Sequence, residues 1–348
     1  MRILFVVNDV ETELDRAATT VLATAASRRG HEVLVLGVHE LEYQETGHVG
    51  GLARRGPGAE VETNQEFLDA VQGAGATREP ASTADLDVIW LRYNPAEEVG
   101  DRAWAQNAGI LFGQLALEHG VVVLNHPYSL SWAISKMYFQ QFPEAVRPAC
   151  IITRSYERIR DFHAAHGRTI VLKPLMGYGG TDVFLVGEDA GNLRQIVESL
   201  ARGGYIIAQQ FLPRAAEGDT RLFLVNGKPL AVEGKYAAVR RVAGSEDFRS
   251  NMSAGGTPAP PEVDEDMLRL ASVVGPKLVK DGIFFAGLDI VGDKLVEINT
   301  ISAGGLNIAG KLQGVDFGGA VIERVERKVF YKRHYGDHIR NIEIATMD

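Results

Sequence analysis

The segment 287–299 constrains the fold more than any other part of the chain, because it predicts two short strands joined by a tight turn. Aliphatic and β-branched residues stand on both sides of Gly292-Asp293, a pair that favours a hairpin. Asp289 lies on the first strand, and Glu297 and Asn299 lie on the second. Side chains alternate along a strand, so Glu297 and Asn299 share one face. Asp289 joins them there only if the hairpin contains a three-residue loop or a bulge.

The oxygen atoms of Asp289, Glu297 and Asn299 predict a site for a hard divalent metal. Mg²⁺ is bound through a few carboxylates together with substrate phosphates, so a nucleotide is the expected partner. The alternative is a solvent-facing hairpin that carries acids for solubility. The flanking segments 284–286 and 298–301 are too apolar for a wet surface ribbon. They favour the metal site, because a buried carboxylate is costly unless a cation compensates it.

Length, charge and cysteine content restrict the class of protein. The chain has 348 residues and a net charge of −9, which predicts two or three packed units and argues against nucleic acid or a membrane surface as partner. The single cysteine, Cys150, predicts a reducing compartment and a buried structural thiol, with a catalytic nucleophile as the alternative. No stretch has the apolar length of a membrane span or a signal peptide. We therefore expect a cytoplasmic protein.

The first part of the chain has the pattern of an α/β domain with a parallel sheet. Strands at 2–7 and 32–36 enclose a helix at 16–29, which is a βαβ unit. The residues 44–84 are Gly-rich and polar and predict a loop-bearing excursion around a helix at 64–72. Further elements are predicted at 87–92 (strand), 104–119 (helix) and 121–124 (strand).

A break at Asn125-His126-Pro127, followed by a predicted helix from Ser129 to Phe142, indicates a domain boundary. We expect an N-terminal α/β domain, a small central α/β domain, a third domain with the acidic hairpin, and a tail whose role the sequence does not indicate. Their predicted bounds are 1–125, 126–203, 204–330 and 331–348.

A lysine and a glycine-rich turn predict a phosphate-binding element. Lys173 ends a predicted strand, and the turn 177–180 follows it. Glycines let backbone N–H groups approach phosphate oxygens, and the ammonium group supplies the neutralising charge. The turn leads into a strand, so it is neither a Walker loop nor a dinucleotide fingerprint, and an ordinary hairpin is the alternative. Lys136 offers a second cation, with a solvated surface charge as its alternative.

The segments that follow offer the remaining parts of a nucleotide site. The end of a buried strand at 209–212 can present backbone N–H and C=O groups to an adenine edge, although a plain interdomain linker has the same pattern. Asp219 suits a ribose hydroxyl and Arg221 suits a transferring phosphoryl group, with an exposed ion pair as the alternative. Arg249 lies in a polar segment with Asn251 and suits a carboxylate.

Together these blocks resemble the ATP-grasp superfamily, and specifically its bacterial glutathione synthetase branch. Each block is common by itself, and their order over the chain up to about residue 300 carries the resemblance. The blocks are 87–92, 125–130 with Lys136, 171–175 with 177–180, 208–213, 218–221, 251–256 and 287–290 with 297–299.

The resemblance implies an ATP-grasp fold of three α/β domains, with ATP held between the second and the third. These would be an N-terminal parallel-sheet domain on the substrate side, a small central lid domain and a C-terminal antiparallel-sheet domain with the metal site. The implied reaction is ATP-dependent ligation of a carboxylate to an amine through an acyl phosphate. The resemblance also implies Mg²⁺, with Mn²⁺ as a substitute, peptide or amino-acid substrates, and a homo-oligomer.

The resemblance also assigns roles to individual residues. Arg221 would be catalytic, and Asp289, Glu297 and Asn299 would hold the metal. The residues that would bind ATP are Lys136, Lys173, Gly177, Tyr178, Gly179, Gly180, Gln209, Gln210, Phe211, Leu212 and Asp219. The residues that would bind the other substrates are Arg92, Arg249, Asn251, Ser302 and Gly304.

Two departures from the family pattern leave the substrates open. Glutathione synthetases usually follow the metal-binding Asn with a Val-Thr-Ser-Pro-Thr segment that receives glycine, whereas residues 300–305 here read Thr-Ile-Ser-Ala-Gly-Gly. The segment 235–244, with Arg240-Arg241, predicts a mobile lid of altered composition. The interpretations are therefore a glutathione synthetase, a related ligase with another carboxylate or amine, or a catalytically silent ATP-binding module.

Overall fold

The computed structural model describes residues 1–177, 179–244 and 255–348. The first part of the chain forms one sheet flanked by helices. Its elements are β1 (Arg2–Val7), α1 (Ala18–Arg28), β2 (Glu32–Gly37), β3 (Glu42–Tyr43), β4 (Val49–Arg55), α2 (Asn64–Val71), β5 (Arg78–Ser82), β6 (Val88–Leu91), α3 (Ala108–Leu117) and β7 (Val122–Leu124).

This first sheet has the strand order β3-β4-β2-β1-β6-β7, with β5 paired to β4. The strands β2, β1, β6 and β7 are parallel, as the βαβ pattern predicts, and β1 is buried along nearly its whole length. The prediction that 44–84 is a loop-bearing excursion is wrong in part. Besides the expected α2, the excursion forms β4 and β5, which extend the sheet in antiparallel fashion. Three glycines lie in or near β4 and obscure its alternation in the sequence.

The central part of the chain forms a smaller antiparallel sheet in the order β10-β9-β11-β8. Helices α5 and α6 cover it and share one apolar core with its strands. The strand 206–210 lies inside this sheet, although the sequence analysis places it in the next domain, and the division of the chain into domains stays a prediction. The elements are α4 (Pro127–Ala133), β8 (Cys150–Thr153), α5 (Tyr156–Ala165), β9 (Ile170–Pro174), β10 (Phe184–Val186), α6 (Leu193–Arg202) and β11 (Ile206–Gln210).

The third part of the chain is built on an antiparallel sheet in the order β17-β16-β12-β18-β19, with β13 paired to β12. Its strands β12 and β18 are almost fully buried. The elements are β12 (Asp219–Val225), β13 (Lys228–Pro229), β14 (Ala231–Val232), β15 (Lys235–Tyr236), β16 (Ala238–Val242), β17 (Thr257–Ala259), α7 (Glu265–Lys280), β18 (Phe285–Val291), β19 (Lys294–Asn299), α8 (Leu306–Gln313), α9 (Phe317–Tyr335) and α10 (Asn341–Ile344).

The helix predicted from Ser129 to Phe142 is wrong as a single element. The α-helix α4 ends at Ala133, and a 3-10 helix follows at Lys136–Gln141. The Ser135 side chain accepts a hydrogen bond from Met137 N at 3.2 Å and so begins the second helix. The break directs Lys136 towards the central sheet.

The junction after β7 joins the first sheet to the third. Asn125 is buried, its Oδ1 accepts the Phe285 N–H at 3.0 Å, and its Nδ2 donates to the carbonyls of Phe285 and Thr300. The His126 N–H donates to Gly282 O at 3.0 Å. Because Thr300 directly follows β19, this junction ties the hairpin 287–299 to the N-terminal sheet.

The tail is part of the folded body. Helix α9 runs across the predicted start of the tail at residue 331, and α10 packs near α7 and β7. Asn341 hydrogen-bonds both the N–H and the C=O of Val123, each at 2.9 Å. Lys328 is fully buried and donates to Asn226 Oδ1 and Met347 O, each at 2.9 Å. Among the described residues, no helix combines the length and the apolar character needed to span a bilayer.

The junction predicts a pH-dependent stability. Burial, with a smaller contribution from the Arg340 charge, lowers the pKa of His126 to about 4, and Asn341 Nδ2 lies 3.1 Å from His126 Nδ1, where it can donate to a neutral ring. The unfolded chain binds a proton near pH 6.5 that the folded chain binds only near pH 4, so stability falls as the pH falls through that window. Relative to His126→Gln, we expect the free energy of unfolding of the unmodified protein to drop by about 2 kcal/mol between pH 7 and pH 4.5.

Urea unfolding at the two pH values measures this difference. The exposed His338 supplies the control, because His338→Gln should follow the unmodified protein at both pH values. Parallel pH profiles for the unmodified protein and His126→Gln would contradict the assignment.

Candidate functional site

The acidic hairpin contains the bulge that the alternation argument requires. β18 and β19 pair in register from Val291/Lys294 to Ile290/Leu295, and then Asp289 lies opposite Glu297. Val296 is the extra residue on β19. The bulge shifts the alternation by one position, so Asp289, Glu297 and Asn299 line the same side. Asn299 Nδ2 lies 3.4 Å from Asp289 Oδ2.

Asp289 is the most buried acid of this group and is held by two arginines. Its side chain is 2% exposed, and Arg221 binds both of its oxygens at 2.7 Å. Arg241 Nη2 lies 2.8 Å from Asp289 Oδ2. Burial by itself would raise the pKa of Asp289, but the two guanidinium groups hold it well below its usual range. Asp289 therefore stays ionised throughout the physiological pH range.

Arg241 belongs to the site, although the sequence analysis does not predict it. It lies on β16 and pairs with Asp219 on β12, where its Nε donates to Asp219 Oδ1 at 2.8 Å. The prediction that 235–244 is a mobile lid is wrong for the strand 238–242, which pairs with β12 over four residues. The sequence does contain a signal for this site, namely two adjacent arginines in an otherwise apolar strand. A buried arginine needs an acidic partner, so this pattern predicts a nearby carboxylate.

Two lysines extend the positive charge of the site. Lys173 Nζ donates to Val296 O at 3.3 Å. Burial lowers the pKa of Lys173, whereas the negative charge of Glu297 raises it. Lys136 Nζ lies 3.8 Å from Glu297 Oε1 and 2.5 Å from Gly177 O. The structure therefore brings both predicted phosphate-binding lysines to the acidic hairpin.

The glycine-rich turn lies beside Lys136. Gly177 accepts the Lys136 hydrogen bond, while Gly179 and Gly180 have φ angles of 63° and 79°, which L side chains rarely adopt. Tyr178 lies outside the described residues. Gly179 and Gly180 therefore have the backbone conformation that only glycines adopt easily.

The predicted adenine-binding strand borders a smaller cavity of about 150 Å³. Gln209 and Gln210 lie on β11, and Phe211 and Leu212 follow it on the same wall. Lys173 reaches this cavity from β9, which is next to β11, and Asp219 reaches it from β12 of the third sheet. The residues predicted to bind adenine, ribose and phosphate thus line one cleft between the central and the third sheet.

A larger cavity of about 720 Å³ continues this cleft towards the N-terminal sheet. Both predicted acceptor residues, Ser302 and Gly304, line it, and Gly304 O accepts a hydrogen bond from Arg221 Nη1 at 3.1 Å. Arg92 does not line it. That side chain is buried behind the wall, where Nη1 donates to Ile301 O at 2.7 Å, so its contact with the site is indirect. Arg249 and Asn251 lie outside the described residues.

The charges around the cleft suit a polyphosphate. The four cations Lys136, Lys173, Arg221 and Arg241 face the three carboxylates of Asp219, Asp289 and Glu297, which leaves one excess positive charge. In a partly dehydrated cleft, such groups stabilise an anion far better than they do in water.

The oxygen donors of the hairpin fit a magnesium-type ion. A carboxylate has roughly four lone-pair positions, so Asp289 keeps acceptor capacity beside its two arginines. Glu297 is partly exposed, with Lys136 near one of its oxygens. The described ranges contain no cluster of three or more His, Cys, Asp or Glu side chains that could hold a metal alone. A metal here would complete its shell with phosphate oxygens and water, which is how Mg²⁺ is commonly bound.

Two family models cover most of the chain. The model described as "Prokaryotic glutathione synthetase, N-terminal domain" matches residues 1–131, and the model described as "Prokaryotic glutathione synthetase, ATP-grasp domain" matches residues 135–313. The chain belongs to the prokaryotic glutathione synthetase family. The resemblance predicted from the ordered motifs is thereby confirmed.

Individual members of the glutathione synthetase family agree with this assignment. The glutathione synthetase of Shewanella oneidensis is 38% identical over 248 residues, which are 71% of this chain and 75% of that protein. The glutathione synthetase of Gloeobacter violaceus is 33% identical over 324 residues, which are 90% of this chain and 93% of that protein. The similarity thus extends over 75% and 93% of the lengths of these two relatives.

Solved structures confirm the ATP-grasp fold. The D-cycloserine synthetase DcsG superposes with a TM-score of 0.60 at 16% identity and covers 93% of this chain and all of that one. The ATP-grasp ligase PsnB, in a complex with a precursor variant, Mg and ADP, gives a TM-score of 0.61 at 16% identity over 94% of this chain and 98% of that one. At such identities the likeness concerns the fold alone.

Family membership determines the class of reaction. The chain is an ATP-dependent carbon–nitrogen ligase, it uses ATP with a divalent metal, and its other substrates are small amino acids or peptides. The predicted enzyme class is thereby confirmed.

Proposed function

We propose that this ligase is a glutathione synthetase, which joins the cysteinyl carboxylate of γ-glutamylcysteine to the amino group of glycine. The observation that carries the proposal is one continuous cleft. It contains Lys136 and Lys173 for the phosphates, the oxygen donors of the hairpin 287–299, and Arg221 beside the loop 302–305. All the groups needed to activate a carboxylate with ATP therefore line the same space.

The proposed reaction has two steps. A carboxylate oxygen of the acid attacks the γ-phosphorus of ATP, and ADP leaves with the electrons of the broken bond. The amine nitrogen then attacks the acyl phosphate carbon, the tetrahedral intermediate expels phosphate, and the amine loses a proton. Neither step needs a protein nucleophile, so positioning and electrostatic stabilisation supply the catalysis.

The residues of the cleft have distinct roles in this proposal. Lys136 and Lys173 bind the phosphates, while 209–212 and Asp219 hold the nucleoside. Arg221 stabilises the negative charge that develops on the acyl phosphate and the tetrahedral intermediate. Bound Mg²⁺, with Mn²⁺ as a substitute, would be held by the hairpin oxygens and would neutralise phosphate charge.

Cys150 has no role in this chemistry. Burial raises the pKa of its thiol, and its Sγ donates to Gln140 Oε1 at 3.0 Å. A thiol held in this way is a poor nucleophile.

The second candidate is a ligase of the same class with a larger amine acceptor. The loop 302–305 favours it, because a Cβ atom placed on Gly304 would meet no atom within 4 Å. That space admits an amine with a side chain. A catalytically silent ATP-binding module is disfavoured, since a pure binder has no need of Arg221 or of the hairpin oxygens.

The remaining proposals concern domains, cellular location and partners. We propose domains at 1–125, 126–203 and 204–330, with a tail at 331–348. We also propose that the protein is cytoplasmic, forms a homo-oligomer, and binds neither nucleic acid nor membranes. The acidic charge of −9 supports the absence of nucleic acid, because phosphate backbones are not attracted to an acidic surface.

The proposed function predicts that Mg²⁺, ATP, γ-glutamylcysteine and glycine together yield glutathione, ADP and phosphate in equal amounts. Labelling the cysteinyl carboxylate with ¹⁸O should place one labelled oxygen in the released phosphate, because the acyl phosphate breaks between carbon and that oxygen. Mass spectrometry of both products measures this. Phosphate without label would contradict the acyl phosphate. Turnover with a larger amine, but not with glycine, would favour the second candidate.

A further inference from the structure

Lys136 lies on a short element that does not fix its own position. The 3-10 helix Lys136–Gln141 has six residues, and helices of this kind have poorer hydrogen-bond geometry than α-helices. Its cap, Ser135, belongs to the same segment of the chain. Contacts with other parts of the protein therefore decide where the Lys136 ammonium group lies.

A hydrogen bond between two side chains ties this 3-10 helix to the end of α7. Tyr138 is buried, and its hydroxyl group donates to Asp281 Oδ2 at 2.7 Å. Asp281 directly follows α7 and is buried as well. Burial, together with the Asp281 carboxylate, raises the pKa of Tyr138, so its hydroxyl group keeps the proton that it donates.

Helix stability does not account for an acid at this position. A carboxylate at the C-terminus of a helix meets the negative end of the helix dipole. Lys277 lies 2.8 Å from the same Asp281 oxygen, but it precedes the acid by four residues, which is the less favourable order for such a pair. We therefore attribute the acid to its contact with Tyr138, and Lys277 compensates its charge.

Aromatic rings surround the ammonium group of Lys277. It lies 5.3 Å from the ring centroids of Trp132 and Tyr138 and 6.0 Å from that of Phe142. The rings of Trp132 and Phe142 also meet the Tyr138 ring edge to face, at centroid distances of 5.8 and 5.2 Å. A satisfied polar contact among apolar groups favours one arrangement of its neighbours. The segment on both sides of Lys136 is thereby fastened to one charged pair on α7.

The opposite side of the same segment faces the cleft. Tyr138 lines the larger cavity together with Lys136, whose Nζ donates to Gly177 O and lies 3.8 Å from Glu297 Oε1. Within the part of the chain that the structure describes, Lys277 and Asp281 line neither cavity. They can therefore influence a ligand only through the segment that they hold.

We propose that Tyr138 and Asp281 are positioning residues for the phosphate-binding Lys136. A cation that is already in place costs less order when the nucleotide binds than one that must first be immobilised. Lys277 supports the pair by neutralising Asp281. The inference rests on the role of Lys136 in the proposed function, but it does not depend on which acid and amine the enzyme joins.

Binding of a non-hydrolysable ATP analogue with Mg²⁺, measured by calorimetry without acid or amine, tests the proposal. Lys136→Met should raise the Kd by about 10- to 100-fold, because a charge-assisted contact is lost. Tyr138→Phe removes only the hydroxyl group and should raise the Kd by about 3- to 10-fold. Added to Lys136→Met, Tyr138→Phe should change the Kd by less than about twofold, because the two residues act on the same contact.

Variants of Asp281 and a second tyrosine give the matched comparisons. Asp281→Leu removes the acceptor and should resemble Tyr138→Phe, whereas Asp281→Asn keeps an acceptor oxygen and should raise the Kd less. Tyr93 is also fully buried, and its hydroxyl group donates to Gln106 O at 2.9 Å. Tyr93→Phe should lower the melting temperature without changing the Kd. If Asp281→Leu does not fold, Tyr138→Phe decides the question, since it adds neither charge nor volume.

The outcomes separate this inference from the proposed function. The positioning role is overturned if Tyr138→Phe raises the Kd equally with and without Lys136, or if Tyr138→Phe or Lys136→Met leaves the Kd unchanged. A lower melting temperature of Tyr138→Phe with an unchanged Kd would show a structural role alone and would overturn it too. The expected Kd values without glutathione synthesis by the unmodified protein would support this inference and overturn the proposed function.

Discussion

Arg221→Met is expected to lower kcat for phosphate release by about 10²- to 10³-fold, because the guanidinium stabilises charge that develops only in the transition state. Arg221 holds both oxygens of Asp289 and the carbonyl of Gly304, and its side chain is 13% exposed. It is therefore fixed in place before substrates bind. Arg221→Lys keeps the charge but loses the fork of donors, so an intermediate loss is expected.

Stability measurements separate this effect from a folding defect. Asp289 keeps Arg241 as a partner in both variants, so the fold should persist. The matched control is Arg214→Met, since Arg214 lies near the same sheet with its side chain 61% exposed. Steady-state kinetics at saturating ATP and thermal unfolding give the two readouts. A lowered melting temperature with unchanged kcat would show that Arg221 acts only on the fold.

Glu297→Gln is expected to raise the Mg²⁺ concentration needed for half-maximal activity and to lower kcat/KM for ATP by about 100-fold. The substitution retains size and one oxygen but removes the charge that a hard cation prefers. Glu297 is a better test than Asp289, because Asp289 is also a partner of two arginines. Its removal would take from Arg221 its acidic partner, would leave Arg241 with Asp219 alone, and would mix a structural effect with a functional one.

Titration of Mg²⁺ at fixed ATP measures this change. Glu262 is exposed, lies in the same part of the chain, and provides the control Glu262→Gln. Equal Mg²⁺ dependence in Glu297→Gln and the unmodified protein would remove Glu297 from the metal site. If excess Mg²⁺ or Mn²⁺ restores none of the lost activity, the substitution acts through Lys136, because the Lys136 ammonium group lies near the Glu297 carboxylate.

Much of the site is predictable because its parts are local in the sequence. The pattern of Asp289, Glu297 and Asn299 on one hairpin predicts a metal site, and the alternation of side chains requires either a three-residue loop or a bulge, of which the bulge is found at Val296. Lys173 is predictable for the same reason, because a lysine at the end of a strand and directly before a glycine-rich turn is recognisable within one short segment.

Arg241 is not predictable in this way. Arg241 lies in a segment whose composition suggests a lid, and only its pairing with Asp219 and Asp289 makes it part of the site. Arg92 shows the opposite case, because the family resemblance assigns it to a substrate whereas the fold buries it against Ile301.

The excursion and the broken helix have the same physical origin. β4 and β5 pair with strands distant in the chain, and glycines hide their alternation, so tertiary pairing decides what the local pattern leaves open. α4 ends at Ala133, and the 3-10 helix that Ser135 caps carries Lys136 to Gly177 and Glu297, which are distant in the chain.

The amino-acid sequence alone determined the family, the reaction class and the groups that chemistry requires within short segments, because ordered motifs and strand alternation are local properties. Tertiary structure alone decided which distant charges share a cavity, and that Arg241 is buried whereas Arg221 is partly exposed to the cleft. Electrostatic interactions depend on distance and burial, and neither is written in the order of residues.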